Sequence, residues 1–212
     1  MSVDWKPRTK AVHSGTRRSQ YNEVSEAVFL TQGFVYDSAE QAEARFQSLG
    51  DDEFIYARYG NPTVRMFEDR ISGLLGYEDC FACTSGMAAV SGALTSLLKA
   101  GDHVVAARAL FGSCLYVLED ILARFGVDMR HVVKAAHAVG ALVLADDAMA
   151  TPVFSYAKEC GADIAIISTT KHVDGQGRML GGAICGPKEL IRGPVEAYMK
   201  HTGDSMSRRC VS

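Results

Sequence analysis

The chain has 212 residues, of which 48% are apolar and 22% charged, and its formal net charge at pH 7 is −3. This composition is typical of a globular protein with one good core and excludes an intrinsically disordered chain. The acidic balance and the scattered basic residues argue against a nucleic acid partner. We expect a cytoplasmic protein without a membrane partner, because no apolar run reaches about eighteen residues and MSVDWKPRTK lacks the apolar core of a signal peptide.

Residues 1–60 show little periodicity and many polar side chains, which predicts an extended arm that lies on a neighbouring subunit. From Asn61 onward the pattern is helical, with apolar side chains three or four residues apart in TVRMFEDRISGLLG and Gly76 as the terminating residue. The sequence therefore predicts that the compact domain begins at this helix.

Strand-like and helical runs then alternate along the chain. CFACT precedes SGMAAVSGALTSLLKAG, HVVAA precedes GSCLYVLEDILARFG, ALVLA precedes a short segment to Gly161, and DIAII precedes a glycine-rich loop. This alternation predicts an α/β fold with a mostly parallel sheet and helices on both faces. Ligands of such sheets bind at the carboxyl ends of the strands.

The alternation fails once. A helical run ends at Gly126, and only Val127 and Asp128 precede a second helical pattern, MRHVVKAAHAVG. Because a strand normally separates two helices of a parallel βαβ arrangement, we expect a segment to be missing between Asp128 and Met129.

The six cysteines lie mostly in apolar runs, and without an export signal they are expected to be reduced core residues. Cys80 and Cys83 form a CxxC pair, but no second pair or histidine cluster completes a zinc site, so we expect no metal. The cysteines are Cys80, Cys83, Cys114, Cys160, Cys185 and Cys210.

Lys171 follows DIAII and three hydroxyl residues, and glycines come soon after it. A lysine whose pKa is lowered by its site forms Schiff bases with carbonyl compounds, pyridoxal phosphate among them, and hydroxyls can hold a phosphate. A solvated lysine at the end of a strand gives the same local pattern. Asp146 and Asp147 end ALVLA, where a carboxylate can pair with a pyridine nitrogen or simply cap a turn.

Two further segments could bind phosphate. Gly86 opens a helix after CFACT, where free backbone amides attract anions, although an ordinary strand-to-helix turn has the same sequence. Tyr56 and Arg58 in YARYGNPT can supply a hydroxyl and a bidentate guanidinium, although such a pair is also common on surfaces.

Together these motifs resemble the Cys/Met-metabolism family of pyridoxal-phosphate enzymes, which shares the fold type I of aspartate aminotransferase. The resemblance runs from about Ala11 to Ser207 and is carried by LTQGFVYDSAEQAEARF, YARYGNPT, LFGSCLY and TKHVDGQGRMLGG. It implies pyridoxal 5'-phosphate as the cofactor, residues 61–207 as its binding domain, and a homo-oligomer (dimer or tetramer).

The resemblance also implies roles for individual residues. Lys171 would form the Schiff base with the cofactor and then act as the catalytic base, and Asp146 would pair with the pyridine nitrogen. The phosphate would be bound by the backbone amides of Gly86 and Met87 together with the hydroxyls of Ser168 and Thr170.

Two residues carry further expectations from the family. Tyr56 and Arg58 would complete the phosphate site of the adjacent subunit. Phe111 falls where many relatives have a tyrosine stacked on the cofactor, and a phenylalanine can stack but cannot exchange a proton.

The motifs look most like those of family members that exchange the succinyl group of O-succinylhomoserine for sulfide, a γ-replacement that yields homocysteine for methionine biosynthesis. Phe111 favours this activity over the γ-lyases. The alternatives are a cystathionine γ-synthase or methionine γ-lyase type of enzyme, or a catalytically silent family member.

The silent alternative rests on the departures from the family pattern. Family members have several tens more residues between Asp128 and Met129, and they continue past Ser207 into a small carboxyl-terminal domain that binds the substrate carboxylate. Here residues 208–212 resemble no family sequence. We therefore expect cofactor binding to be better preserved than substrate binding.

Overall fold

The computed structural model describes residues 5–107, 110–121, 128–130, 136–155 and 157–207. The helices are α1 (Pro7–His13), α2 (Ala39–Gln47), α3 (Pro62–Leu75), α4 (Gly86–Leu97), α5 (Gly112–Tyr116), α6 (Lys188–Leu190) and α7 (Glu196–Thr202). The strands are β1 (Asp79–Cys83), β2 (His103–Val105), β3 (Asp128–Arg130), β4 (Leu144–Asp146), β5 (Ile164–Ser168) and β6 (Gly182–Gly186). Across these ranges, no helix is both long and apolar enough to cross a membrane.

The central sheet has four strands in the order β1-β6-β5-β4. Strand β6 is antiparallel to both of its neighbours, whereas β4 and β5 are parallel. It follows that β1, β5 and β4 all run in one direction and β6 alone is reversed. The predicted α/β class is confirmed, but the sheet is mixed, because the run GAICG forms a reversed strand for which the sequence analysis predicted no element.

The sheet has helices on both faces, as predicted. Alternate side chains of β5 point to opposite sides, since successive residues of a strand face opposite ways. Ile164 and Ile166 belong to a buried cluster that includes residues of α4 and α7. Ala165 and Ile167 belong to a second buried cluster that includes Ile71 of α3.

Helix α3 begins and ends where the sequence predicts. The side chain of Asn61 accepts a hydrogen bond from the Thr63 amide (2.9 Å) and so caps the first turn, and Gly76 ends the helix with φ of 77°. Asn61 also donates to the carbonyl oxygen of Phe29 (3.0 Å). One buried side chain therefore both starts the helix and ties the amino-terminal arm to it.

The prediction that a helix begins at Met129 is wrong. Asp128–Arg130 forms a strand that pairs in parallel with His103–Val105. Hydrophobic periodicity does not distinguish so short a strand from the first turn of a helix. The segment forms a strand because it pairs with an edge of β2. The remaining parts of the two predicted helices, at 122–126 and 131–135, lie outside the described residues.

A buried group of charged side chains holds the amino-terminal end of β1. Glu68 accepts hydrogen bonds from the backbone amide of Ala82 (2.8 Å) and from Arg192 (2.9 Å). Asp79, which is 1% exposed, accepts from both Arg65 (2.8 Å) and Arg192 (2.6 Å). Burial raises the pKa of Glu68 well above its usual range, and the Ala82 amide and the Arg65 guanidinium oppose that shift. The two arginines thus offset part of the cost of burying two carboxylates.

The opposite end of the sheet depends on a glycine. A Cβ atom added to Gly182 would lie 2.2 Å from the carbonyl oxygen of Ser85 and 2.9 Å from the Cα atom of Gly86. Both neighbours are backbone atoms, so no side-chain rotation can relieve the overlap. Only glycine allows β6 to approach the start of α4 this closely.

Replacing Arg192 with methionine is expected to lower the free energy of unfolding by about 3 kcal/mol, because Glu68 and Asp79 would lose a shared counter-charge in a buried site. Urea denaturation measures the change. The matched control is Lys188→Met, because Lys188 forms an ion pair with Asp51 (3.3 Å) in which both side chains are more than half exposed. Lys188→Met should lower the free energy of unfolding by less than about 1 kcal/mol. Equal decreases for the two variants would contradict the role of Arg192 as a buried counter-charge for Glu68 and Asp79.

Replacing Gly182 with alanine is expected to destabilise the protein by about 1–3 kcal/mol, because the new methyl group overlaps backbone atoms. Gly186→Ala is the control within the same strand, since its nearest neighbour is a side-chain atom, Ile164 Cγ1, at 3.3 Å. Thermal unfolding compares the two variants. Hydrogen exchange at the first amides of α4 should increase in Gly182→Ala and stay unchanged in Gly186→Ala.

Candidate functional site

Three strands and two helices bring the predicted site residues to one edge of the sheet. Strands β4 and β5 end at Asp146 and Ser168, and the reversed strand β6 begins beside Ser168, since Ser168 pairs with Gly182. Cys83, the last residue of β1, pairs with the same glycine. Helix α4 begins three residues after Cys83, so its amino terminus lies at this edge.

The start of α4 provides open backbone amides. The hydroxyl of Ser85 accepts from the Ala88 amide (3.0 Å), which satisfies one of the helix's unpaired donors. The amides of Gly86 and Met87 occupy the first two helical positions, where no partner exists within the helix. A Cβ atom on Gly86 would lie 3.1 Å from the hydroxyl of Ser168. Two amides and one hydroxyl therefore meet at the positive end of a helix of 12 residues.

The hydroxyl residues between β5 and the lysine differ in their contacts. Thr170 Oγ1 accepts from the amide of Gly181 (2.9 Å) and donates to its carbonyl oxygen (3.2 Å). Thr169 is buried, and its hydroxyl has no partner among the described residues. The structure thus engages Thr170 in the turn, whereas Ser168 keeps its hydroxyl free toward Gly86.

Lys171 lies in a turn, Thr169–Val173, and its side chain is exposed. The carboxylate of Asp174 anchors the following loop by accepting from the amides of Gln176 (3.2 Å) and Arg178 (2.8 Å). The Arg178 amide and then the Arg178 side chain hold the pKa of Asp174 below its usual range. The lysine is thus presented by a turn whose following loop is fixed by hydrogen bonds rather than by packing.

The structure separates the two adjacent aspartates. Asp146 Oδ1 accepts from the Ala148 amide (3.2 Å), and its Oδ2 lies 3.3 Å from the thiol of Cys114 in α5. Asp147 turns the other way and accepts a hydrogen bond from the hydroxyl of Ser155. Of the two carboxylates, Asp146 therefore faces the helix that follows Phe111.

Phe111 immediately precedes α5, and its carbonyl oxygen accepts from the Cys114 amide (2.8 Å). Its ring is 67% exposed. Phe111 is thus linked through its backbone to Cys114, the residue that contacts Asp146, and its side chain is accessible to solvent.

Tyr56 and Arg58 are not brought to this edge within one chain. Arg58 donates a hydrogen bond to the carbonyl oxygen of Lys200, and its guanidinium lies 4.9 Å from the ring centre of Tyr59 and 5.5 Å from that of Tyr56. Arg58 and Tyr59 line a cavity of about 280 Å³ against α7, and no residue of the lysine turn lines it.

Sequence reasoning missed two contributions. Cys114 was expected to be a core residue, and it is buried as expected, but its contact with Asp146 was not foreseen. Gly181 and Gly182 were expected in a glycine-rich loop that passes close to a ligand, whereas a Cβ atom on Gly181 would overlap side-chain atoms and one on Gly182 would overlap the backbone of Ser85 and Gly86. For Cys114, the sequence signal was its spacing in LFGSCLY, which places this residue one helical turn after Phe111.

The prediction of buried, reduced cysteines is confirmed for Cys80, Cys83 and Cys185 and wrong for Cys160, which lies on the surface, whereas Cys210 lies outside the described residues. Cys80, Cys83 and Cys185 are buried free thiols, and Cys160 is an exposed one. Within the part of the chain that the structure describes, no group of histidine, cysteine and acidic side chains could hold a metal ion.

The chemistry of this edge fits the cofactor that the motifs imply. The Gly86 and Met87 amides and the Ser168 hydroxyl suit a phosphate, because they combine unpaired donors with the positive end of a helix dipole. Asp146 offers an oriented carboxylate for a ring nitrogen, and Lys171 offers an amine in the turn that follows the neighbouring strand β5. Thr170 fits least well, since its hydroxyl is already engaged by Gly181.

The chain matches the family described as Cys/Met metabolism PLP-dependent enzyme over residues 8–131 and 126–209. It is 43% identical to an O-succinylhomoserine sulfhydrylase of Mycobacterium tuberculosis, with 94% of this chain and 58% of the relative aligned. It is 31% identical to an L-methionine gamma-lyase of Fusobacterium nucleatum subsp. polymorphum, with 95% and 66% aligned. The chain thus spans about three fifths of the length of the sulfhydrylase.

A solved structure of a putative O-acetylhomoserine (thiol)-lyase from Campylobacter jejuni superposes with a TM-score of 0.88 over 98% of this chain and 69% of that one, at 20% identity. Its description includes N'-pyridoxyl-lysine-5'-monophosphate. This likeness confirms the predicted fold, and the family match covers nearly the whole chain. The protein belongs to the Cys/Met-metabolism family of PLP-dependent enzymes, whose cofactor is pyridoxal phosphate.

Proposed function

We propose that the chain is the cofactor-binding part of an enzyme that converts O-succinylhomoserine and sulfide to homocysteine and succinate. In this γ-replacement the bond between Cγ and the succinyl oxygen breaks, a bond between Cγ and sulfur forms, and the proton released by hydrogen sulfide balances the succinate carboxylate. The 43% identity to a protein named for this activity supports the substrate and the reaction.

The observation that carries the proposal is the group of phosphate-binding donors beside Lys171. The open amides of Gly86 and Met87 and the hydroxyl of Ser168 lie at the end of β5, and Lys171 follows three residues later. Such a cluster is expected where one phosphorylated aldehyde must be held and also bound covalently by an amine.

Bound pyridoxal phosphate supplies an electron sink for carbanions formed next to the amino group of a substrate. Lys171 Nζ would hold the cofactor covalently, and its free amine would serve as the base for the substrate's Cα and Cβ protons. Asp146 would hold the proton on the ring nitrogen. Phe111 would pack against the ring and, lacking a hydroxyl, would leave proton transfer to the lysine.

The lack of a hydroxyl on the Phe111 ring favours γ-replacement over γ-elimination. Relatives named L-methionine gamma-lyase are 31% identical, so a γ-lyase activity on methionine is the second candidate, together with a γ-synthase activity that uses cysteine in place of sulfide. A further alternative is a chain that binds the cofactor but is catalytically silent. Turnover assays with sulfide, cysteine or methionine distinguish these activities.

Replacing Lys171 with alanine is expected to abolish the visible absorption band that covalently bound pyridoxal phosphate gives, because no amine remains at the end of β5. Lys188→Ala serves as the control and should keep the band, since Lys188 forms only an exposed pair with Asp51. Spectra are recorded after addition of pyridoxal phosphate and removal of the excess.

The outcomes of that experiment separate the hypotheses. A folded wild-type chain without the band would overturn the proposal. A band that disappears in Lys171→Ala, combined with conversion of O-succinylhomoserine and sulfide to homocysteine, supports it. A band without turnover of any of the tested substrates would favour the catalytically silent alternative.

We further propose that the amino-terminal arm serves the site of a second copy of the chain. Helices α1 and α2 bury no side chain in the single chain. Large apolar side chains along the arm are strongly exposed, among them Tyr21 (81%), Val24 (92%) and Val35 (92%). Burial of these side chains by a second copy would remove their apolar surface from water, as in protein–protein interfaces. Tyr56 and Arg58, held away from the lysine turn of their own chain, can then bind the cofactor phosphate of the partner.

Mixing the variants Lys171→Ala and Arg58→Ala, each defective alone, is expected to restore cofactor-dependent activity. In random dimers half of the molecules are mixed, and each mixed dimer has one site with both intact residues, so about one quarter of the sites should work. The variants are mixed after mild dissociation and assayed against each one alone. Restoration fails if both residues serve the site of their own chain.

A further inference from the structure

Cys114 connects the apolar core to the carboxylate at the end of β4. Its side chain is 5% exposed and belongs to the same buried cluster as Val90 and Ile166. Its sulfur nevertheless lies 3.3 Å from Asp146 Oδ2, a hydrogen-bonding distance for a thiol donor. A thiol can pack as a small apolar group and donate one hydrogen bond, which alanine and valine cannot do.

The contact restricts the orientation of Asp146. The Ala148 amide binds Oδ1 at 3.2 Å, and the thiol binds Oδ2, so each carboxylate oxygen has one donor. Since a carboxylate can accept about four hydrogen bonds, room remains for a further donor such as a protonated ring nitrogen. Without the thiol, Oδ2 would have no donor among the described residues, and the carboxylate could rotate about its last side-chain bond.

The thiol remains a donor at neutral pH. Burial first and the hydrogen bond to Asp146 second raise the pKa of Cys114 to about 11. The sulfur is therefore protonated at neutral pH and can donate a hydrogen bond to the Asp146 carboxylate.

We propose that Cys114 is a positioning residue, whose thiol holds the Asp146 carboxylate in the orientation that receives the ring nitrogen of pyridoxal phosphate. This inference rests on the proposed function, because it assumes that Asp146 pairs with that nitrogen. Cys114 itself does not touch the cofactor in this account and acts only through Asp146.

The variants Cys114→Ala and Cys114→Ser separate positioning from packing. Both change the packing, and serine additionally places a hydroxyl in an apolar cluster, so a packing role predicts that serine is at least as harmful as alanine. A positioning role predicts the opposite for cofactor binding. We expect pyridoxal phosphate to bind about tenfold more weakly to Cys114→Ala and nearly normally to Cys114→Ser.

The dissociation constant is measured by titrating the visible absorption band, and thermal unfolding shows whether each variant is folded. Wild-type protein that does not bind pyridoxal phosphate overturns the proposed function. Wild-type binding with equal affinity in Cys114→Ala overturns only the role of Cys114. Weak binding in both variants assigns Cys114 to packing and equally overturns the inference.

A second measurement tests the contact without the cofactor. The pH dependence of Cys114 alkylation, followed by peptide mass spectrometry, gives the midpoint of thiol ionisation. In Asp146→Asn the midpoint should fall below that measured for the wild type and remain above the ordinary 9.0, because the negative charge that raises the pKa of Cys114 is lost while burial persists. An unchanged midpoint in Asp146→Asn would show that the two groups do not interact and would overturn the inference.

Discussion

The close approach of Gly182 to the carbonyl oxygen of Ser85 determines the position of the start of α4 relative to the lysine turn. Strand β6 pairs with β1 on one side and β5 on the other, so its first residue adjoins the ends of both. The contact joins backbone to backbone and leaves no side chain that could adjust. The position of the Gly86 and Met87 amides beside Ser168 follows from this single constraint.

The two ends of β1 carry different kinds of interaction. At its start, Asp79 and Glu68 are buried with Arg65 and Arg192, an arrangement in which the loss of one partner leaves a charge without compensation. At its end, the donors are backbone amides and hydroxyls at the amino terminus of a helix. Strong charge pairing thus anchors the sheet away from the site, and the site keeps open donors for an anionic group.

The segments that carry the proposed site residues differ in how firmly the surrounding structure holds them. Ser168 is a buried sheet residue, and Asp146 is held by two hydrogen bonds, one of them from the core thiol of Cys114. Lys171 lies in a turn, where its exposed amine can reach a ligand. Arg58 donates a hydrogen bond to a carbonyl oxygen of α7 in the single chain, and its guanidinium lies over the Tyr56 ring. The sheet thus holds the proposed phosphate-binding hydroxyl, whereas the lysine proposed to bind the cofactor lies in an exposed turn.

The sequence alone determined the elements whose signals are local. The cap at Asn61 and the terminator at Gly76 define α3, and the apolar runs of β1 and β5 place Ser168 and Lys171 at a strand end, because these signals act within one or two turns of chain. The tertiary structure decided the rest. The structure reverses strand β6, separates Asp146 from Asp147, engages Thr170 with Gly181 and brings Cys114 to Asp146. The contacts responsible join residues that are 8 or more positions apart. Local propensity cannot specify them, because which backbone groups and side chains meet depends on the register and direction of neighbouring strands.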